Sequence, residues 1–215
     1  ALAIQGLTPL LSIELAARVP FALLHALALA ATWWATYHLA RSPAAQPLAL
    51  AFGGEASPKA YARALADGAV LALLASLGLA QLGHETTPSV VQFAGAALWL
   101  YGAAAMPWSR RSARWAAAVG LGAMSLSGAP VIAVGLGVAA AVMALITWQA
   151  LNRSAAHLEH EALSDQLGVT DSAFAEPWGA GVRHDRMLMR AQAAQADTLF
   201  WLAITIAAAS VASLL

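Results

Sequence analysis

Residues 115–151 read WAAAVGLGAMSLSGAPVIAVGLGVAAAVMALITWQAL, 37 residues without one charged side chain. As a single helix rising 1.5 Å per residue the stretch would be about 55 Å long, far more than the roughly 30 Å of a bilayer's hydrocarbon core. Two crossings fit instead, provided the chain turns in the middle. Ser127, Gly128, Ala129 and Pro130 supply the turn: glycine frees the backbone, and proline has no N–H with which to continue a helix. Inside lipid no water is present to satisfy peptide groups, so an uncharged run of this length must pair its own backbone as helix.

Working outward, four more apolar runs of similar character appear, and together they predict an all-α polytopic bundle of about six spans. The spans are 19–40, 66–83, 89–108, 112–128, 131–151 and 198–215, in a single integral membrane domain covering residues 1–215. Composition agrees. The chain is 60% hydrophobic and 10% charged, whereas soluble domains carry about 25% charged residues, so there is too little polar surface to cover a water-soluble globule. The formal net charge is zero, which leaves nucleic acid out as a partner. Cys is absent, which excludes disulfides, iron–sulfur clusters, thiolate zinc sites and cysteine nucleophiles.

The basic residues give an orientation. Arg41, Lys59 and Arg63 lie in the first connection, Arg110, Arg111 and Arg114 in the third, and Arg153, Arg183, Arg186 and Arg190 in the fifth. The second and fourth connections hold none, and Arg18 alone remains for the opposite side. The positive-inside rule then places the odd connections in the cytoplasm and both termini outside, as in a bacterial cytoplasmic membrane protein. Trp33, Trp34, Trp108, Trp115 and Trp148 fall near span ends, where indole keeps its N–H wet and its ring in lipid. Residues 1–17 contain Gly6, Pro9 and Glu14 and are read as an interfacial segment, with a re-entrant element or a seventh span as the alternatives. Gly120, Gly122, Gly128, Gly135 and Gly137 crowd the fourth and fifth spans and predict a tight hairpin between those two, because small residues let membrane helices approach closely.

Ionisable groups at membrane depth are costly and mark function. Glu14, Arg18, His25, His84 and Glu85 all fall toward the outer ends of spans one and two and form the candidate polar cluster. Within it His25 and His84 are the candidate cofactor-binding pair, since imidazole ligates both metal and haem iron, although no spacing motif specifies a cofactor. Asp67, at the inner mouth of span two, is read as a first-turn or capping acid, with an ion-path carboxylate as the alternative. His38, beside Tyr37 and Arg41, has the composition of an interface and is assigned no role. The cytoplasmic connection 152–197 is the most polar segment. It is expected to form helix over 154–167, a loop at Glu176, Pro177, Trp178 and Gly179, and helix again from Arg183 into span six. His157, Glu161, Arg183, Arg186 and Arg190 make it a candidate docking hairpin. His157 and His160 are three apart, not the four of a zincin helix, and no catalytic or metal motif stands out.

The expected function is transport: a small carrier or channel protomer for a neutral or amphipathic solute, since so few charges lie within the spans. The alternative is a non-catalytic accessory or anchor subunit of a larger membrane complex, possibly a redox complex with b-type haem or quinone. Expected partners are membrane lipid and either further copies of the chain or other membrane subunits.

Overall fold

A computed structural model describes residues 12–47, 56–76, 87–166 and 177–214, and at 13, 14, 155, 158–166, 177–187, 212 and 214 the backbone alone. Every regular element among the described residues is helical. In chain order they are α1 (Ile13–Ala40), a 3₁₀ turn (Pro43–Ala45), α2 (Pro58–Leu74), α3 (Pro88–Ala105), α4 (Arg110–Leu126), α5 (Pro130–Gln166) and α6 (Pro177–Leu214). Three stretches are long and apolar enough to cross a membrane: Leu15–Ala40, Pro130–Ser154 and Leu188–Val211. Helices α2 and α4 have 17 residues each, about 26 Å of rise, a little short of the hydrocarbon core.

The size of the side chains is sorted in the reverse of a water-soluble core. Nineteen of the twenty-five buried hydrophobic residues among those described are alanines, while Leu23, Leu71, Trp115, Leu126, Val131 and Ile206 are mostly exposed. In water, that many large exposed apolar groups would cause association. In lipid the arrangement is the favourable one, because close backbone approach stabilises helix pairs while Leu, Ile and Val lose nothing by facing acyl chains.

The chain packs as two compact units, Ala1–Val134 with Ala208–Leu215, and Gly135–Ala207. In the first, α1 packs on α2 and on α3, and α3 packs on α4. The α3–α4 contact is set by glycine. A Cβ at Gly95 would lie 2.7 Å from the Gly120 carbonyl oxygen, and one at Gly102 would lie 2.7 Å from that of Ala113. Gly120 in turn lies against the Gly95 carbonyl and the Trp99 nitrogen. Gln92 Nε2 donates to the Ser127 carbonyl (2.9 Å), satisfying one of the free carbonyls at the end of α4. Of the glycines expected to tighten a pairing of the fourth and fifth spans, Gly120 instead serves the α3–α4 contact. The close approach is between α3 and α4, and a Cβ at Gly122 or Gly135 would meet nothing within 4 Å.

The break within the long apolar stretch falls where expected. Gly128 has φ +93°, and the Ala129 N–H donates to the Met124 carbonyl (3.0 Å). This is the left-handed glycine ending of a helix, with the reach-back bond that satisfies its last carbonyls. Pro130 then opens α5, where a missing N–H costs nothing.

Three boundaries differ from expectation. The second helix starts at Pro58 and ends at Leu74, not 66–83, because Ser57 and Pro58 form a start signal that hydropathy overlooks. The Ser57 hydroxyl accepts the Ala60 N–H (3.3 Å), a side-chain cap. Residues 77–86 lie outside the described residues. The expected loop at Pro177, Trp178 and Gly179 is instead the first turn of α6, proline being well suited to that position. Of the expected interfacial segment, residues 1–11 lie outside the described residues, whereas Ile13 onward is already α1, which runs unbroken to Ala40.

In the second unit, a Cβ at Gly137 would meet the Thr205 Cβ at 3.2 Å and its hydroxyl. From that contact, α5 runs 29 residues to its end at Gln166, and α6 begins 28 residues earlier at Pro177. The two arms beyond that contact are of nearly equal length, about 43 Å each.

Candidate functional site

Two places gather polar groups on apolar helices, one in each unit. In the first unit the end of α1 carries Trp33, Trp34, Tyr37, His38 and Arg41 within about two turns. Positions three, four and seven apart share a helix face, so Trp34, His38 and Arg41 line up together. Trp33 stacks on Tyr37 (5.4 Å between centroids, 7° between planes). Its indole N–H donates to Asp67 Oδ1 of α2 at 2.7 Å. Asp67 is therefore corrected from a first-turn acid. It sits in the tenth position of α2, too far along for a capping role, and holds α2 against α1 through the indole.

His38 stacks near Trp108 (6.2 Å, 28°) and lies 6.0 Å from the Tyr101 ring. The Arg41 guanidinium carbon lies 4.1 Å from the centre of the Trp108 ring and 5.7 Å from that of Tyr37. A cation over indole is worth about 0.5–1 kcal/mol where exposed and about 2 kcal/mol where desolvated. Beside this cluster, between the end of α1 and the end of α3, opens a pocket of about 420 Å³. Leu39, Pro43, Ala103, Ala104, Pro107 and Trp108 supply its apolar walls, and His38 and Ser42 its polar groups. His38 Nδ1 is buried without a hydrogen-bond partner among the described residues.

In the second unit the buried face of α6 reads Ala191, Ala194, Asp197, Thr198, Trp201 and Thr205, spaced at the three-to-four-residue interval of one helix face. Thr198 donates to the Ala194 carbonyl (2.9 Å) and Thr205 to the Trp201 carbonyl (2.6 Å), which satisfies each hydroxyl proton within the helix and leaves its lone pairs free to accept. Asp197 is only 8% exposed and lies well inside the apolar stretch Leu188–Val211. Reading it as the last residue of the 152–197 connection is thus corrected. The carboxylate is on the helix face packed toward protein. Its signal was in the sequence, in the periodic small residues at 191 and 194 and the hydroxyls at 198 and 205.

The predicted outer cluster is only partly within view, since His84 and Glu85 lie outside the described residues. Glu14, Arg18 and His25 fall within about 40° of one another around α1. Arg18 and His25 are nevertheless about 10 Å apart in rise. Arg18 is exposed, and His25, half-buried, lies 6.2 Å from the Phe93 ring with its Nδ1 buried and unpartnered among the described residues. The docking candidates are carried on the hairpin arms. His157 and Arg186 lie 20 and 19 residues along their helices from the Gly137–Thr205 contact, and Glu161 and Arg183 24 and 22 residues from it. His157 and Arg190 are exposed.

The helices and their lipid-suited surfaces define the class, a helical integral membrane protein. No protein-family model, curated protein or solved structure matches the chain.

Proposed function

We propose that this protein is a small multi-pass transporter for a neutral or amphipathic solute. In this reading six helices lie in a bacterial cytoplasmic membrane, with the basic connections inside and both termini outside. The observation that carries it is Asp197, a carboxylate taken out of water on the protein-facing side of an apolar helix, in line with Thr198 and Thr205. Acids at such depth generally line the path of a polar cargo. Asp197 accepts hydrogen bonds from a donor group on the solute. The threonine oxygens offer further acceptors, and Trp201 and the neighbouring alanines provide an apolar wall for the rest of it.

Flux of a panel of neutral and amphipathic solutes into proteoliposomes tests the reading. At least one solute is expected to move with the wild-type protein, and Asp197→Asn to slow it by roughly tenfold or more while leaving detergent elution unchanged. Flux that is absent for every solute, or identical in Asp197→Asn, would overturn it.

A second reading, an accessory or anchor subunit, is favoured by the length of the hairpin. With 37 and 38 residues, α5 and α6 are about 55–57 Å long, exceeding even the roughly 40–45 Å of a bilayer with its headgroups. The protruding end, carrying His157, Glu161, Arg183 and Arg186, with Arg190 at its base just inside the apolar stretch, offers a docking surface to another subunit. Co-purification of a second chain in fixed ratio from the native membrane, lost on deletion of residues 157–186, is the expected result for this reading. A Soret band in the same preparation would add the redox form of it, with His25 and His84 as the ligands to mutate.

A further inference from the structure

Arg41 is the first residue after the apolar stretch Leu15–Ala40, at the level where a membrane helix meets the headgroups. Its guanidinium lies over Trp108 and Tyr37, and no carboxylate pairs with it among the described residues. The acid of neighbouring α2, Asp67, is engaged by Trp33. An arginine held against aromatic rings keeps its charge and several N–H donors directed outward. Immediately beside it the pocket between α1 and α3 is walled by Leu39, Ala103, Ala104 and Pro107, with the Ser42 hydroxyl and the His38 imidazole at its edge. A fixed positive charge next to an apolar trough, at the end of a membrane span, is complementary to one kind of molecule: an anion with a hydrocarbon tail.

We propose that this pocket binds an anionic phospholipid, with Arg41 pairing the headgroup phosphate, Ser42 donating to it, and an acyl chain lying along Leu39, Ala103 and Ala104. Trp108 serves twice, as the platform that orients the guanidinium and as the aromatic side of the trough. The bilayer itself supplies this ligand in large excess over any free anion, and the pocket opens where headgroups sit. The site lies wholly within the first unit and does not depend on the transport reading, which rests on Asp197.

The test uses the full chain in nanodiscs of phosphatidylcholine containing phosphatidylglycerol, with retained lipids counted by native mass spectrometry. The wild-type protein is expected to retain phosphatidylglycerol about fivefold over its share of the bilayer, the effect of one basic side chain at a membrane surface. Arg41→Gln should bring that ratio close to one. Ala103→Phe, which fills the trough and leaves Arg41 in place, should lower retention of either lipid. Arg111→Gln, an exposed arginine at the head of α4, should leave the ratio unchanged. The proposal is overturned if the wild-type protein shows no preference, if Arg41→Gln keeps it, or if Ala103→Phe retains lipid normally. An equal loss in Arg111→Gln would mean general surface charge rather than a site. Release of the lipid by millimolar inorganic phosphate would mean a site for a free anion.

Discussion

Asp67 and Asp197 show how little a carboxylate's place in the sequence says about its work. Both lie next to apolar runs and both read as boundary residues. In the fold Asp67 is exposed but accepts a 2.7 Å bond from Trp33, and Asp197 is buried on a helix face it shares with alanines and threonines. The first is a joint between α1 and α2, the second a polar point within a membrane helix. A hydrogen bond to a charged acceptor contributes up to about 3 kcal/mol when shielded, and partial exposure reduces this toward the surface-pair range. A double-mutant cycle of Trp33→Phe and Asp67→Ala, read by denaturant unfolding in detergent micelles, should therefore give a coupling of about 0.5–1 kcal/mol. A coupling of zero would mean that the contact does nothing for stability.

At the scale of elements, the glycines divide by what faces them. Gly95, Gly102 and Gly120 let α3 and α4 come into backbone contact, while Gly122 faces open space. The four glycines look alike in sequence, since all lie in Ala-rich helices, and only the partner's path tells them apart. Substituting Gly120 with Ala forces a methyl against the Gly95 carbonyl and should destabilise the fold by about 1–3 kcal/mol, the usual range for overpacking. Gly122→Ala should be neutral or stabilising by up to about 1 kcal/mol, because helix propensity improves and nothing is displaced. Thermal unfolding of the two variants in the same detergent checks the contrast, and equal effects would disprove the α3–α4 approach.

For the whole molecule, the signal to test is the distribution of the eleven Lys and Arg residues, ten of which fall in three groups at 41–63, 110–114 and 153–190. If the six helices all cross, a reporter active only in the cytoplasm should work when fused at Ser172 and fail after Leu215. Activity at both positions would mean that α6 does not cross, and the reverse pattern would invert the orientation. Ser172 suits this test because it falls in sequence between the end of α5 and the start of α6.

What this sequence determined by itself was the helical class, the turn at Gly128 and Pro130, and the membrane as solvent. Each depends on local chemistry: uncharged runs must pair their own backbone in lipid, and glycine and proline act within a residue or two of where they stand. Helix pairing was not legible, because an Ala-rich chain presents small residues on every face and many pairings look equally close. Tertiary structure decided that α3 meets α4, that Trp108 brings its ring under Arg41 from the turn between α3 and α4, and that Asp197 faces protein. These outcomes depend on which helix faces are left to lipid, and that choice is made by the sum of contacts across the fold.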